Sequence, residues 1–523
     1  MRVVFAAGLV VAMSCVSVDA ADAGATSFRT VDVNPTPAFC EDPRGPSSVV
    51  YIPNVTKTLG GPGGWTTPFI IQNIGTTSTD VEVRFLPFDS GTPIACRNIT
   101  ALAPGASFAD IPSNDADLPE NRQFSVLVRA FASDVVAVVN QQAGSGASQE
   151  GDAYVGASVG STTVFLPNIV RRFFGFHTPI IIQSVYVDPG GPTSGGSTVV
   201  TARFVSFDGT MTATITRTVC CGQSQFIEPN LEPALSDGTQ YAVTLTATHP
   251  ISVLVNTHRD QGVTTPVMYS VSGIAGDAGA TTLYGPYAAK NAPGVGRGSS
   301  TIVVQNMGSA SASPTLMFSG LGGGSSTTIS GPPTGPGRSW VFDPRYTGGD
   351  TAKAVCGATA SPGCLADGEY SFVAQSSGAI AAQVNVIWES GGGEPQTAAG
   401  YTAVARPSAK VYLPNVTRTL GGATGWTTPF IVQSAAATNV KVSWYRFSDG
   451  ALVTTQNFAL AASSAQRIDP RSVPGLSDDT QYSVVLDGGT QNIAAIVTEL
   501  NYSGGDGAMI YTGFSPCGAG CRP

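Results

Sequence analysis

Gly156-Ala157-Ser158-Val159-Gly160 matches G-x-S-x-G, the pattern in which a serine on a sharp strand-to-helix turn attacks an acyl carbon. Such a serine needs an imidazole base, and the chain offers His177, His249 and His258. Asp115, Asp117 and Glu120 bring hard oxygen donors of the kind calcium takes into one stretch, without the spacing of an EF-hand loop. Gly294-Val295-Gly296-Arg297-Gly298 is as rich in glycine as a phosphate cradle but lacks its spacing. The cysteines show no C-x-x-C pair and no histidine nearby, so they read as structural staples rather than metal ligands.

The elements that must position these groups weaken each reading. An elbow serine stands between a strand and a helix, whereas the next regular element after Ser158 is a strand near Val164. His177 falls where related segments carry Thr66 and Thr427, His249 precedes Pro250 at a turn, and His258 closes a strand. None has a recurring acid or nucleophile partner. The acidic stretch reads as a solvated loop. No catalytic residue, metal or cofactor is expected, and the chain is read as a non-enzyme.

With 523 residues, the length prior is roughly three or four domains of about 100–200 residues each. Charged residues make up 12%, about half the usual share of roughly 25%. The 26 Lys+Arg against 35 Asp+Glu include no basic run, which argues against nucleic acid as a partner. Gly, Ser, Thr and Val dominate where a helical bundle would need Glu, Lys, Ala and Leu at helical spacing.

Residues 1–20 read as a signal peptide: Arg2 is a minimal positive start, Val3–Val11 is mostly apolar, and Val18-Asp19-Ala20 offers a cleavage site. No later stretch holds about 18 apolar residues, so no membrane span is expected. The expected location is secreted, extracellular or cell-surface, the periplasm included. Disulfides persist there. Cys40, Cys96, Cys220, Cys221, Cys356, Cys364, Cys517 and Cys521 then remain, and about 105 connectivities are open to such a set. Cys356 and Cys364 bracket a short loop, Cys517 and Cys521 bracket Gly-Ala-Gly, and Cys40 and Cys96 are the leftover pair. A bond between the adjacent Cys220 and Cys221 would be strained.

Periodicity is the strongest signal. Val50-Tyr51-Ile52-Pro53-Asn54-Val55 returns as Val164-Phe165-Leu166-Pro167-Asn168-Ile169 and Val411-Tyr412-Leu413-Pro414-Asn415-Val416, with a degraded copy at Leu283-Tyr284-Gly285-Pro286. Each opening is followed by an apolar run ending in Gln72, Gln183, Gln305 or Gln433, then an alternating run and, in most copies, an Asp-Gly turn, and finally a short strand carrying Tyr154, Tyr269, Tyr401 or Tyr511. Alternation closed by Asp-Gly marks strand–turn–strand. The buried glutamine is expected to satisfy loop backbone groups. The predicted fold is all-β, as four tandem Greek-key β-sandwich domains. The boundaries are residues 48–158, 159–280, 281–405 and 406–516, after a segment at 21–47 and before a cysteine-containing tail at 517–523.

Leu235-Ser236-Asp237-Gly238-Thr239-Gln240-Tyr241 matches Leu476-Ser477-Asp478-Asp479-Thr480-Gln481-Tyr482, and Leu365–Tyr370 is a shorter version. An acidic turn before a late-strand tyrosine resembles the tyrosine corner of immunoglobulin-like sandwiches; Phe124 departs from it in the first copy. Ile71-Gln72-Asn73-Ile74-Gly75, Val304-Gln305-Asn306-Met307-Gly308 and the turn Ala103–Ser107 make the chain similar to tandem immunoglobulin-like β-sandwich repeats of secreted or surface-displayed bacterial proteins. That resemblance implies extracellular architecture and display, and carries over no catalytic residues.

Ile52–Gln72 and Leu413–Gln433 are identical at 16 of 21 positions, while the residues that follow differ in sequence and length. Something local therefore holds this loop. Trp65 and Trp426 are either core or interface aromatics among turn glycines, or flat faces of a binding surface with Thr66, Thr67, Thr427 and Thr428 beside them. The expected function is a non-enzymatic structural, display or adhesion protein, with a glycan or a cell-surface protein as partner. The alternative is a carbohydrate-binding protein that uses the Trp65 and Trp426 loops. A secreted hydrolase is the weaker alternative.

Overall fold

The alternating and continuous apolar runs all become antiparallel strands. The computed structural model describes residues 44–185, 197–260, 262–294, 296–324, 326–345, 365–389, 395–501 and 504–516. Residues 1–20, expected to be a signal peptide, and Cys40, Cys356, Cys364, Cys517 and Cys521 lie outside the described residues. In the first repeat the strands are β1 (Ser48–Lys57), β2 (Phe69–Asn73), β3 (Thr79–Pro87), β4 (Ala95–Leu102), β5 (Ser107–Asp110), β6 (Arg122–Ala130), β7 (Val135–Ala143) and β8 (Glu150–Val155). They form two sheets, ordered β1-β6-β3-β4 and β5-β2-β7-β8. The fourth repeat has the same two orders. In the second and third repeats, Thr239–Arg259 and Gly368–Glu389 run without a break through both sheets, and the pairings are otherwise the same. Among the described residues the helical segments are short 3-10 turns, and no helix is long and apolar enough to cross a membrane.

The Pro-Asn motif is a bulge. The register of β1 on β6 shifts between Ile52 and Val55, and that of Lys410–Arg418 on its partner shifts between Leu413 and Val416. A bulge leaves backbone groups unpaired, and the closing-strand tyrosine satisfies them. Tyr154 Oη donates to the Asn54 carbonyl at 2.6 Å, and Tyr511 Oη to that of Asn415 at 2.7 Å. The late-strand tyrosines also bond back to their turns: Tyr370 Oη donates to the Ala366 carbonyl at 2.7 Å, and the Ser236 and Ser477 N–H groups each donate to Tyr241 and Tyr482 at 2.7 Å. Phe124 makes no such bond; its turn keeps the contact common to all four repeats, in which Lys57 Nζ donates to the Leu118 carbonyl at 2.8 Å as Arg171, Lys290 and Arg418 donate to Leu235, Leu365 and Leu476.

Every residue of β2 is buried, as is every residue of Ile180–Ser184 and Phe430–Ser434. A strand buried on both faces needs a layer on each side. One face lies on the repeat's own first sheet and the other on a neighbouring repeat. Ile70 and Val138 join the core of the fourth repeat, Ile181 and Leu254 that of the first, and Ile431 and Ile496 that of the third. Three of the four buried glutamines reach the same way, whereas the Gln72 amide, expected to satisfy loop backbone groups, makes no hydrogen bond. Gln183 Nε2 donates to the Val126 carbonyl at 3.4 Å, Gln305 Nε2 to Val243 at 3.2 Å and Gln433 Nε2 to Phe372 at 3.0 Å, each in the preceding repeat. Gln183 and Gln305 also satisfy the loop carbonyls of Gly222 and Gly337, as expected of them. Serines repeat the pattern: Ser224 Oγ donates to Pro53 at 2.7 Å, Ser339 Oγ to Pro167 at 2.7 Å, and Ser107 Oγ to Pro414 at 3.2 Å. The last bond joins the first repeat to the fourth, so the series closes on itself.

The closing strands complete this ring. β8 packs against Val267–Ser272, that strand against Pro395–Thr402, that against Ala508–Thr512, and the last against β8 again. They lie in four different sheets, so carboxylates supply hydrogen bonds between them. Asp152 accepts from the N–H groups of Ala153 (2.8 Å), Ser270 (2.5 Å), Gly400 (3.1 Å) and Ile510 (2.9 Å), one from each repeat. Asp506 accepts from Met268 N–H (2.8 Å), Ala398 N–H (2.8 Å) and Thr397 Oγ1. Burial pushes both carboxyls well above the ordinary range, and the surrounding N–H donors pull against that shift. The described residues between Arg44 and Pro516 accordingly form one compact unit.

Candidate functional site

The loops after the first strand of each repeat stand at the junctions of this ring, and there the candidate binding residues sit. In the first loop, Gly60 and Gly61 take φ of 96° and 97°, the left-handed region open to glycine, and Gly421 and Gly422 do the same in the fourth. Leu59 and Trp65 then exchange backbone hydrogen bonds of 3.0 and 2.8 Å, as Leu420 and Trp426 do at 2.8 Å. Thr67 and Thr428 are fully buried and fold the loop back onto its strand, each Oγ1 accepting from and donating to the backbone of Thr56 or Thr417. Thr66 and Thr427 pair through their backbones with Gln142 and Leu500. Thr67, Thr427 and Thr428 are buried, and the backbone of all four threonines closes the loop.

The two tryptophans are half-buried, each facing the next repeat. The Trp65 ring meets the His258 ring edge-on at 5.4 Å and lines a cleft of about 230 Å³ with Phe226, Glu228 and Gln123. Trp426 faces the Gly63–Thr66 loop and Gln142 across a cleft of about 320 Å³. In the second repeat the loop shrinks to Phe173-Phe174-Gly175-Phe176, and Phe176 packs toward Ile387 of the third. The third repeat has Gly298 in place of the aromatic, with the Trp388 indole where a side chain would lie.

The histidines converge in a way the linear pattern did not suggest. His177 and His258 are bonded backbone to backbone at 2.9 Å, and their rings stack at 5.6 Å. Asp260 lies 3.8 Å from His177 Nδ1, and Glu150 lies 3.5 Å from His258 Nδ1. Burial, and then the neighbouring His258, push His177 below the ordinary imidazole range. So each ring has a carboxylate partner after all. Among the described residues neither ring contacts a serine or cysteine, and no group of acids, histidines and cysteines is placed to hold a metal ion. Ser158 sits in an exposed bend between two strands. Asp115 is paired with Arg97, and Glu120 with Lys57 at 2.8 Å. The glycine-rich segment at Gly294 is a small hairpin in which Pro293 pairs with Arg297.

Cys220 and Cys221 are joined to each other in the turn before Ser224–Ile227, the bond expected to be unfavourable. Cys96 on β4 is disulfide-bonded as well. No protein-family model matches the chain, and no curated protein matches it.

Proposed function

We propose that the chain is a secreted, non-enzymatic structural, display or adhesion protein, exported through residues 1–20 and presenting its surface to a glycan or a cell-surface protein. The observation that carries this is the fate of its perturbed acids. Strongly shifted carboxyls in a cleft are the usual mark of an active site. Here Asp152 and Asp506 are sealed in the ring and spent on N–H groups of other repeats. Glu499 is likewise buried between Asn140 and Asn415.

The finer architecture proposed is four immunoglobulin-like Greek-key sandwiches. The β2–β5 and β3–β6 pairings support it, since they match the B–E and C–F pairs of that fold. The tyrosine-to-turn bonds support it too. The first, fourth and seventh strands lie in the opposite sheet relative to that order.

A second reading, carbohydrate binding through the Trp65 and Trp426 loops, is favoured by the half-exposure of both rings beside clefts. The test combines export and binding. Expression of the full chain in its secreting host should yield a mature protein beginning near Ala21, which binds cells saturably and turns over no ester, amide or glycoside substrate. Turnover abolished by Ser158→Ala would establish the hydrolase instead.

A further inference from the structure

The turn Phe173-Phe174-Gly175-Phe176 holds an aromatic residue where the backbone disfavours one. Phe173 and Phe176 exchange backbone hydrogen bonds of 3.0 Å, and Phe174 and Gly175 take φ of 51° and 81°. Both central residues of such a turn need positive φ, which favours asparagine and glycine and makes a bulky residue a strained outlier. Phe174 is nevertheless 65% exposed, so nothing in the core requires its ring. Strain retained at an exposed position points to a role outside the fold.

The turn forms one lip of a cleft of about 310 Å³ between the second and third repeats. Arg259 lies beside Gly175 on the same lip, and the third repeat supplies Arg345, Asp343 and Glu389 to the other wall. Arg345 is bound to Asp343 at 2.7 Å and to Glu389 at 2.6 Å, which fixes all three groups with one negative charge in excess, and Arg259 across the cleft balances that charge. The amides of Asn168 and Gln240 line the same space.

From this geometry we infer that the cleft between the second and third repeats binds a neutral saccharide, with the apolar face of one sugar ring on Phe174 and its hydroxyls turned to the Asp343–Arg345–Glu389 wall. A balanced wall of donors and acceptors suits a neutral, polyhydroxylated ligand. A charged ligand would meet as much repulsion as attraction, and a purely apolar one would leave the wall unpaired. The inference refines the carbohydrate reading by moving the site: Trp65 is half-buried against His258, whereas Phe174 meets Phe173 edge-on at 4.6 Å and leaves most of its surface in solvent.

The test is an array of neutral oligosaccharides (β-glucans, xylans, mannans and chitin fragments) probed with the full mature chain, followed by titration with the best binder. Phe174→Ala should weaken binding at least tenfold, and Trp65→Ala should leave it within twofold. Phe174→Asn supplies a readout that a structural role would not give, since it should lose binding while raising the melting temperature. The inference is overturned if no neutral glycan binds, if Phe174→Ala binds like the parent, or if Trp65→Ala alone abolishes binding. Saturable binding to cells with no glycan bound would remove this site and leave the adhesion reading standing.

Discussion

Replacing Asp152 by asparagine changes one atom at the axis of the ring. The amide keeps an acceptor oxygen for two N–H groups but turns a donor toward the other two, such as those of Ser270 and Gly400. A buried donor left unsatisfied costs about 1–3 kcal/mol, so two of them amount to about 2–6 kcal/mol. Removing a buried charge offsets part of this, leaving an expected loss of about 2–4 kcal/mol from a total stability of about 5–15 kcal/mol. Urea unfolding followed by tryptophan fluorescence reads the loss as a lower midpoint. Trp65 belongs to the first repeat and Trp444 to the fourth, and because the carboxylate binds all four, both signals should shift together. An Asp152→Asn variant within about 0.5 kcal/mol of the parent, the range of ordinary surface changes, would refute the reasoning. So would a loss confined to the first repeat.

Further expectations concern the same junctions. Burial raises Glu499 from 4.5 to about 7, so the folded chain holds that proton longer than the unfolded chain. Its contribution is complete below pH 4.5 and lost as the pH rises through about 7. Glu499→Gln should therefore flatten the fall in stability across that window, by about 2–3 kcal/mol, as measured by urea midpoints at several pH values; an unchanged profile would exclude Glu499 as its source. Ser224→Ala removes the bond to the Pro53 carbonyl and should cost about 0.5–1.5 kcal/mol in the same assay. Tyr154→Phe strips the hydroxyl from the buried Pro-Asn bulge and should cost about 1–3 kcal/mol; no loss would mean that the bulge does not need it.

The all-β class and the strand order along each repeat were legible because the alternation, the Asp-Gly turns and the Pro-Asn openings are local signals. The ring was not, although one clue was present. Phe69-Ile70-Ile71 and its counterparts are continuous apolar runs, and a strand with no polar face must be covered on both sides. An isolated sandwich would leave one side wet. The Asp152 latch carries no sequence signal: a single aspartate in a short strand looks the same whether it faces solvent or three other repeats. The histidine pair could have been found. His177 aligns with Thr66 and His258 with Gln142, and those two positions are bridged in the first repeat just as the histidines are in the second. The tryptophan loops kept their sequence for a reason visible only in space, since each closes on itself and meets the next repeat.

Closure of the four repeats into one body is the claim on which the rest depends, and small-angle X-ray scattering of residues 21–523 tests it most directly. A single compact body of the described residues between Arg44 and Pro516 should give a radius of gyration of about 23 Å. A value of roughly twice that, the signature of domains strung out along a line, would contradict it.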